Sequence, residues 1–310
     1  MSASPLERSW RSSRPVQLAA TLGVFRRGPG DPTYRSDPDG SVIRCVLTPD
    51  GAATVRLHAR PKDADVTVQA WGAGATWALD HAPEWVGESD DCDGFVVHHP
   101  QVAQALRRFP GWRVPRSGLV LDAFVPAVIE QKVTGQEAFR GYCSLVRRYG
   151  DPAPGPAGDA GMRVPPSADG WRRIPSWGYL TASVDAARSD TIQRVCRVAD
   201  TLARVTSLPG DAARARLQTV PGVGRWTAAE VAHRALGDPD AVSFGDYHVA
   251  KNIGWALTGS EIDDDALAEL LEPYAGHRYR VQRLLELAGH HRPRRGARMA
   301  PRTHLPRRGG

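Results

Sequence analysis

Two stretches of this chain have residue types and spacing that could do chemistry together. The first is Leu217-Gln218-Thr219-Val220-Pro221-Gly222-Val223-Gly224-Arg225-Trp226-Thr227-Ala228. One helix ends there, a glycine-bent turn follows, and a second helix starts at once. Gly222 and Gly224 permit backbone angles that side chains resist, and they let a ligand approach the main chain. The turn's amides face outward at the start of the second helix, whose dipole adds partial positive charge. Such a turn suits one phosphate, gripped without reading sequence. The second stretch is Phe244-Gly245-Asp246-Tyr247-His248-Val249-Ala250-Lys251, with its aspartate about 20 residues past the turn. A carboxylate so placed can stabilise positive charge growing on a reacting carbon, or orient and deprotonate a water. Taken singly, each stretch also has a plain reading: an ordinary αα-hairpin, and an N-cap aspartate.

Other reactive types point elsewhere. The pairs His98-His99 and His290-His291 have no carboxylate or cysteine at ligand spacing, so they read as surface or tail residues, and no side-chain metal site is expected. Cys45, Cys92, Cys143 and Cys196 are spread singly with no CxxC pair. That argues against a zinc ribbon or a four-cysteine cluster and fits reduced thiols in a cytosolic protein.

The elements that must position these residues fall into two patterns. From residue 16 to 88 the apolar positions alternate. Val55, Leu57 and Ala59 interleave with Thr54, Arg56 and His58, Val66 and Val68 with Thr67 and Gln69, and Trp77 and Leu79 continue the theme. This spacing predicts half-buried antiparallel strands, separated by the turn signals at 49–51 and 72–74. From residue 89 to 289 the spacing is helical. Val102, Ala105, Leu106 and Phe109 share a face, and Asp122 reads as the N-cap of a helix through Phe124, Val125, Val128 and Ile129, with Pro126 near the end of its first turn. Further helices are expected at 183–204, 211–219, 226–236, 247–257, 263–271 and 277–288. Residues 150–170 are rich in Pro, Gly and Ala and read as a flexible insertion, and 1–15 as a loose N-terminus. The fold class expected is therefore α+β, a small antiparallel β-rich N-terminal domain followed by a helical one.

The 310 residues suffice for two domains with cores. No run approaches the roughly 18 apolar residues of a membrane span, and residues 1–14 lack the apolar core of a secretory signal. The formal net charge is +6, but seven arginines and no acid lie between 290 and 310, and setting those aside leaves −1. The basicity belongs to a Pro/Gly-rich tail, expected to be disordered, that could add salt-sensitive affinity for a polyanion.

The hairpin at 217–228, the aspartate motif at 244–251, and the helix end Ala127-Val128-Ile129-Glu130-Gln131-Lys132-Val133-Thr134-Gly135-Gln136-Glu137-Ala138 together resemble the helix–hairpin–helix DNA glycosylase superfamily, HhH-GPD, and within it the AlkA-type 3-methyladenine DNA glycosylase II family. With the β-rich segment the likeness covers about residues 16–289. The resemblance implies base excision repair of damaged duplex DNA by base flipping, with Asp246 as the catalytic carboxylate. Pro221, Gly222, Val223, Gly224, Arg225 and Thr227 would then grip DNA. Bifunctional members carry a Schiff-base lysine where Trp226 stands, so a monofunctional glycosylase using water is implied. Trp226, Tyr247 and Trp177 are the base-pocket candidates, although Trp177 also reads as a core residue. Gln131 and Lys132 match the region that fills the gap left by the flipped base. The family often has an apolar wedge there, and this chain departs from it. The family's hairpin carbonyls can hold a monovalent cation, and no other cofactor is implied. Glu272-Pro273-Tyr274 matches a similar segment without assigned chemistry. A cytoplasmic, nucleoid-associated monomer is expected. The alternatives are a glycosylase/lyase for oxidised bases and a DNA-binding protein that kept the hairpin and lost the reaction.

Overall fold

The computed structural model describes residues 4–60 and 64–293. The chain runs β1 (Leu6–Arg11), α1 (Leu18–Leu22), β2 (Tyr34–Ser36), β3 (Val42–Thr48), β4 (Gly51–Arg60), β5 (Asp65–Trp71), α2 (Ala75–Trp85), α3 (Pro100–Arg108), α4 (Val120–Ile129), α5 (Gly135–Tyr149), β6 (Asp151–Pro152), α6 (Pro156–Asp159), β7 (Arg163–Val164), α7 (Ala168–Arg173), α8 (Ser176–Thr181), α9 (Ala186–Arg197), α10 (Ala199–Ala203), α11 (Gly210–Leu217), α12 (Arg225–Val231), α13 (Val249–Thr258), α14 (Asp264–Leu270) and α15 (Arg278–Leu287). Strands β1 to β5 form an antiparallel sheet in the order β1-β5-β4-β3-β2. The expected α+β character is observed.

The alternation read in β4 and β5 decides the sheet's packing. Val55, Leu57, Val66 and Val68 lie inward with α1 and α2 over them. Strand β3 is buried on both faces, because Ile43 and Cys45 pack on the far side with Ala153, Ala157, Met162 and Val164. Residues 150–170, expected as a flexible insertion, therefore form a small cap on the sheet. Thr54 Oγ1 donates to the Pro154 carbonyl at 2.7 Å, and the Arg163 amide to the Pro32 carbonyl at 2.9 Å. Composition hid this, since the cap's contacts are small side chains and backbone. Gly155 (φ +64°) lies against the Trp71 ring, where a Cβ would come within 2.6 Å of it.

Three other expectations need correction. Within the N-terminus expected to be loose, Leu6–Arg11 pairs with β5 from Leu6↔Ala70 to Arg11↔Asp65. Only Trp10 of this strand packs on the core, so no alternating pattern announced it. Trp77 and Leu79 lie in a helix, α2, whose buried face is Ala75, Ala78, Leu79, Ala82 and Trp85. Asp122 is not an N-cap. Helix α4 begins at Val120 after Leu119, and Pro126 sits in its interior, where the missing N–H leaves the Asp122 carbonyl without its helical donor.

Helix α4 is buried nearly all round and is the axis on which α5, α9 and α12 pack. A separate cluster joins α3, α13, α14 and α15, and includes Tyr274. Helix α5 opens on a capping box between Thr134 and Glu137.

Candidate active site

Helices α11 and α12 form the expected hairpin. At its bend Gly222 has φ +95°, and a Cβ there would come within 2.3 Å of Thr191 Oγ1. Both the backbone angle and the close approach of α9 demand glycine. Gly224 is extended (φ −95°, ψ −178°) and precedes α12 with no side chain capping the helix start, and the space beside it is open. Pro221, Gly222, Gly224 and Arg225 are exposed, while Val223 and Thr227 are buried beneath them. Ala228, Ala229, Ala232 and Ala235 are almost wholly buried, which lets α12 pack closely on α4 and α11. Helix α12 continues into a π-helical turn, Ala232–Leu236.

Gln131 follows α4 and reaches across to this bend. Its Nε2 donates to the Gly222 carbonyl at 3.0 Å and to Thr227 Oγ1 at 2.8 Å. The next residue, Lys132, is exposed and has φ +56°, a left-handed conformation that favours glycine. The two residues expected to share one role are thus divided. Gln131 is tied to the hairpin, and Lys132 forms the tip of the loop.

Asp246 lies beside the start of α12. Its Oδ1 accepts the amides of His248 at 2.7 Å and Val249 at 3.1 Å, at the start of α13. Its Oδ2 accepts from Trp226 Nε1 at 3.2 Å. The residue is partly exposed. A carboxylate offers about four lone-pair sites, so three donors leave one uncommitted. The preceding Gly245 has φ +87°, and its amide donates to Asp264 Oδ2 at 2.6 Å. Arg225 lies over the Phe244 ring at 4.5 Å, which further binds the aspartate loop to the hairpin.

Tyr247 is 67% exposed, with the Lys251 ammonium 3.7 Å from its ring centre and the Arg292 guanidinium at 5.8 Å. A hydrogen bond with Arg292 and the charge of Lys251 hold its phenol below the usual value. Trp177 departs from the core reading. It is 52% exposed on α8 under the Arg148 guanidinium, at 4.7 Å, and so is not a core residue. A partly open cavity lies elsewhere, among Leu121, Val125, Tyr142 and Trp171, and none of Trp226, Trp177 or Tyr247 lines it.

Spacing did not disclose a buried polar group behind the loop. Glu230, one turn beyond Trp226, accepts from Ser243 Oγ at 2.6 Å and from Arg234 at 2.5 Å. Burial alone would raise its carboxyl, but the charges of Arg234 and its bonds outweigh that and hold it down at about 2. His233 beside it stacks on Tyr279 at 4.1 Å, and burial pushes it down to about 3. One signal was available: Glu230 is an acid in a helix otherwise rich in alanine.

Among the described residues no cluster of three or more His, Cys, Asp or Glu could hold a metal, and no helix is long and apolar enough to cross a membrane. His99 Nδ1 lies 2.7 Å from the buried Tyr274 hydroxyl. The four cysteines are free thiols. The arginine-rich tail from residue 294 lies outside the described residues.

No family model matches the chain. It is 34% identical over 181 residues, 57% of its length, to the probable bifunctional transcriptional activator/DNA repair enzyme AlkA of Mycobacterium tuberculosis, and spans about a third of that protein. In structure it resembles a 3-methyladenine DNA glycosylase from Archaeoglobus fulgidus (TM-score 0.74, 16% identity, 91% of this chain and 98% of that one). It also resembles the Clostridium acetobutylicum 8-oxoguanine glycosylase/lyase (TM-score 0.68, 12% identity, 92% and 98%). In sequence the chain is thus similar to AlkA over part of its length, and its fold is that of these glycosylase structures.

Proposed function

We propose that this chain is a monofunctional DNA N-glycosylase that removes alkylated purines of the 3-methyladenine kind from duplex DNA. The observation that carries this reading is Asp246, partly open to solvent and fastened to the first turn of the hairpin's second helix by Trp226. The damaged nucleotide is everted at a cost of a few kcal/mol, with its backbone gripped at Pro221–Gly224 and Arg225. The C1′–N bond breaks with its electron pair going to the base, so a cationic alkylated purine leaves neutral. Positive charge grows on the sugar, as in other oxocarbenium-like transfers, and the carboxylate of Asp246 stabilises it. Water forms the new C1′–O bond and gives its proton to Asp246 or to solvent.

Trp226 spends its N–H on Asp246, and its ring remains for an electron-poor base. A tryptophan at this position, with the Lys251 ammonium already on the Tyr247 ring, argues against a Schiff-base step. Lys132, at the tip of its loop, suits the gap left by the everted base better than the tethered Gln131 does. Trp177 is not part of this pocket. The hairpin carbonyls of Pro221 and Gly222 accept from Arg194 at 3.4 Å and Gln131 at 3.0 Å, and no step is routed through a cation. In this reading the sheet and the helices are two domains, divided near residue 88. The protein acts as a cytoplasmic monomer on the nucleoid, and the tail strengthens DNA binding without regard to sequence.

The test is chromatography of bases released from methylated, deaminated and oxidised duplexes. Release of 3-methyladenine is expected. Release of 8-oxoguanine with a borohydride-trapped DNA adduct would instead establish the lyase reading, and binding of damaged duplex without release from any substrate would establish the non-catalytic one.

A further inference from the structure

One helix grips the Asp246 loop at both ends. Trp226 and Glu230 are four residues apart on α12 and so share a face. Trp226 holds the carboxylate at the loop's far end. Glu230 holds the near end, where its Oε1 accepts from the Ser243 hydroxyl at 2.6 Å. The Ser243 carbonyl accepts the Asp246 amide at 3.1 Å, and the Ser243 amide donates to Gln282 Oε1 at 3.2 Å. Arg234, which takes the other oxygen of Glu230, also donates to the Val24 carbonyl at 3.1 Å, so Glu230 is itself fixed. Between the two ends lies Gly245, the residue least able to restrain the backbone by its own side chain.

We propose that Glu230, acting through the Ser243 hydroxyl, is a positioning residue for Asp246. The inference rests on the reading of Asp246 as the reacting carboxylate. Glu230 and Ser243 are both buried, so neither meets the substrate. Arg234 could neutralise Glu230 unaided, yet one carboxylate oxygen is committed to a hydroxyl on the loop. A hydrogen bond to an ionised acceptor is shorter and about twice as strong as a neutral one. Its loss would let the loop pivot about Gly245, and small misplacements of a reacting group are costly in rate.

The test compares single-turnover base release from methylated duplex with the duplex dissociation constant, measured separately. Ser243→Ala is expected to slow release about tenfold while changing duplex affinity less than about twofold, a loss confined to the reacting state. Ser243→Thr, which keeps the hydroxyl, should restore most of the rate. Glu230→Gln should slow release as Ser243→Ala does. In an Asp246→Asn background, Ser243→Ala should lower the residual rate no further, because its effect is spent through Asp246. A Ser243→Ala rate within about twofold of the parent, equal loss in the Ala and Thr variants, or additive loss in the double variant would each overturn the proposal. If the parent chain itself releases no base, the functional reading falls first and the proposal falls with it.

Discussion

Two aspartates, Asp122 and Asp246, show how surroundings rather than residue type assign a role. Asp122 lies at the seam between sheet and helices. Its Oδ2 accepts from Arg44 at 2.9 Å, and the Arg44 guanidinium is stacked between Phe25 at 4.0 Å and Trp85 at 4.8 Å. Burial pushes the Asp122 carboxyl up, against the pull of Arg44. Among the described residues no cation is bonded to Asp246. Two backbone amides and one indole N–H hold it, and it keeps an open side. The seam pairs its carboxylate with a buried cation. The site fixes its carboxylate with neutral donors and leaves capacity for a charge that arrives during a reaction.

The sharpest way to break this comparison is Asp246→Asn. On the proposed function, losing this preorganised charge should slow base release by about 10²-fold or more, with duplex binding and the thermal midpoint nearly unchanged. The mirror change is Arg44→Ala, which strands Asp122 in the interior. It should lower unfolding free energy by about 3–5 kcal/mol in a urea titration, while folded protein keeps its rate of release. If each variant disturbed both properties equally, the contrast between the two regions would be void. Trp226→Phe keeps a ring and removes the N–H from Asp246. A single-turnover loss of about tenfold is expected, in line with one hydrogen bond to a charged acceptor.

The smallest effect is acid sensitivity. Burial holds folded His233 at about 3, below the ordinary 6.5. The unfolded chain therefore binds the extra proton first, so stability is fully present above pH 6.5 and drains away as pH falls toward 3. The thermal midpoint should fall between pH 7 and pH 5, and fall less in His233→Gln. Asp122 has the opposite sign, since burial makes its charged form the costly one. An equal fall in both proteins would clear His233.

Some of this was written in the order of residues. The bend at Gly222 is legible because only glycine combines its φ with the approach of Thr191. The strands β4 and β5 are legible because a half-buried strand must alternate. Asp246 is legible because its two amide donors come from residues just after it in the chain. What failed was whatever depends on a distant partner. The edge strand β1 takes its stability from β5, some 60 residues away, and shows no apolar pattern of its own. Asp122 looks like a helix cap until Arg44, 78 residues earlier, is brought against it. Trp177 reads as a core residue by type, and packing left it exposed.

The sequence by itself determined the hairpin, the aspartate and the absence of a lysine at the Trp226 position. These are local matters of φ, residue type and short spacing. Only the tertiary structure decided that Trp226 and Glu230 hold opposite ends of one loop, that Gln131 ties the hairpin while Lys132 stands free at a tip, and that Asp122 is a seam. Each of these depends on a hydrogen bond or ion pair between segments far apart in the chain, and such a bond leaves no period or composition for a sequence to display.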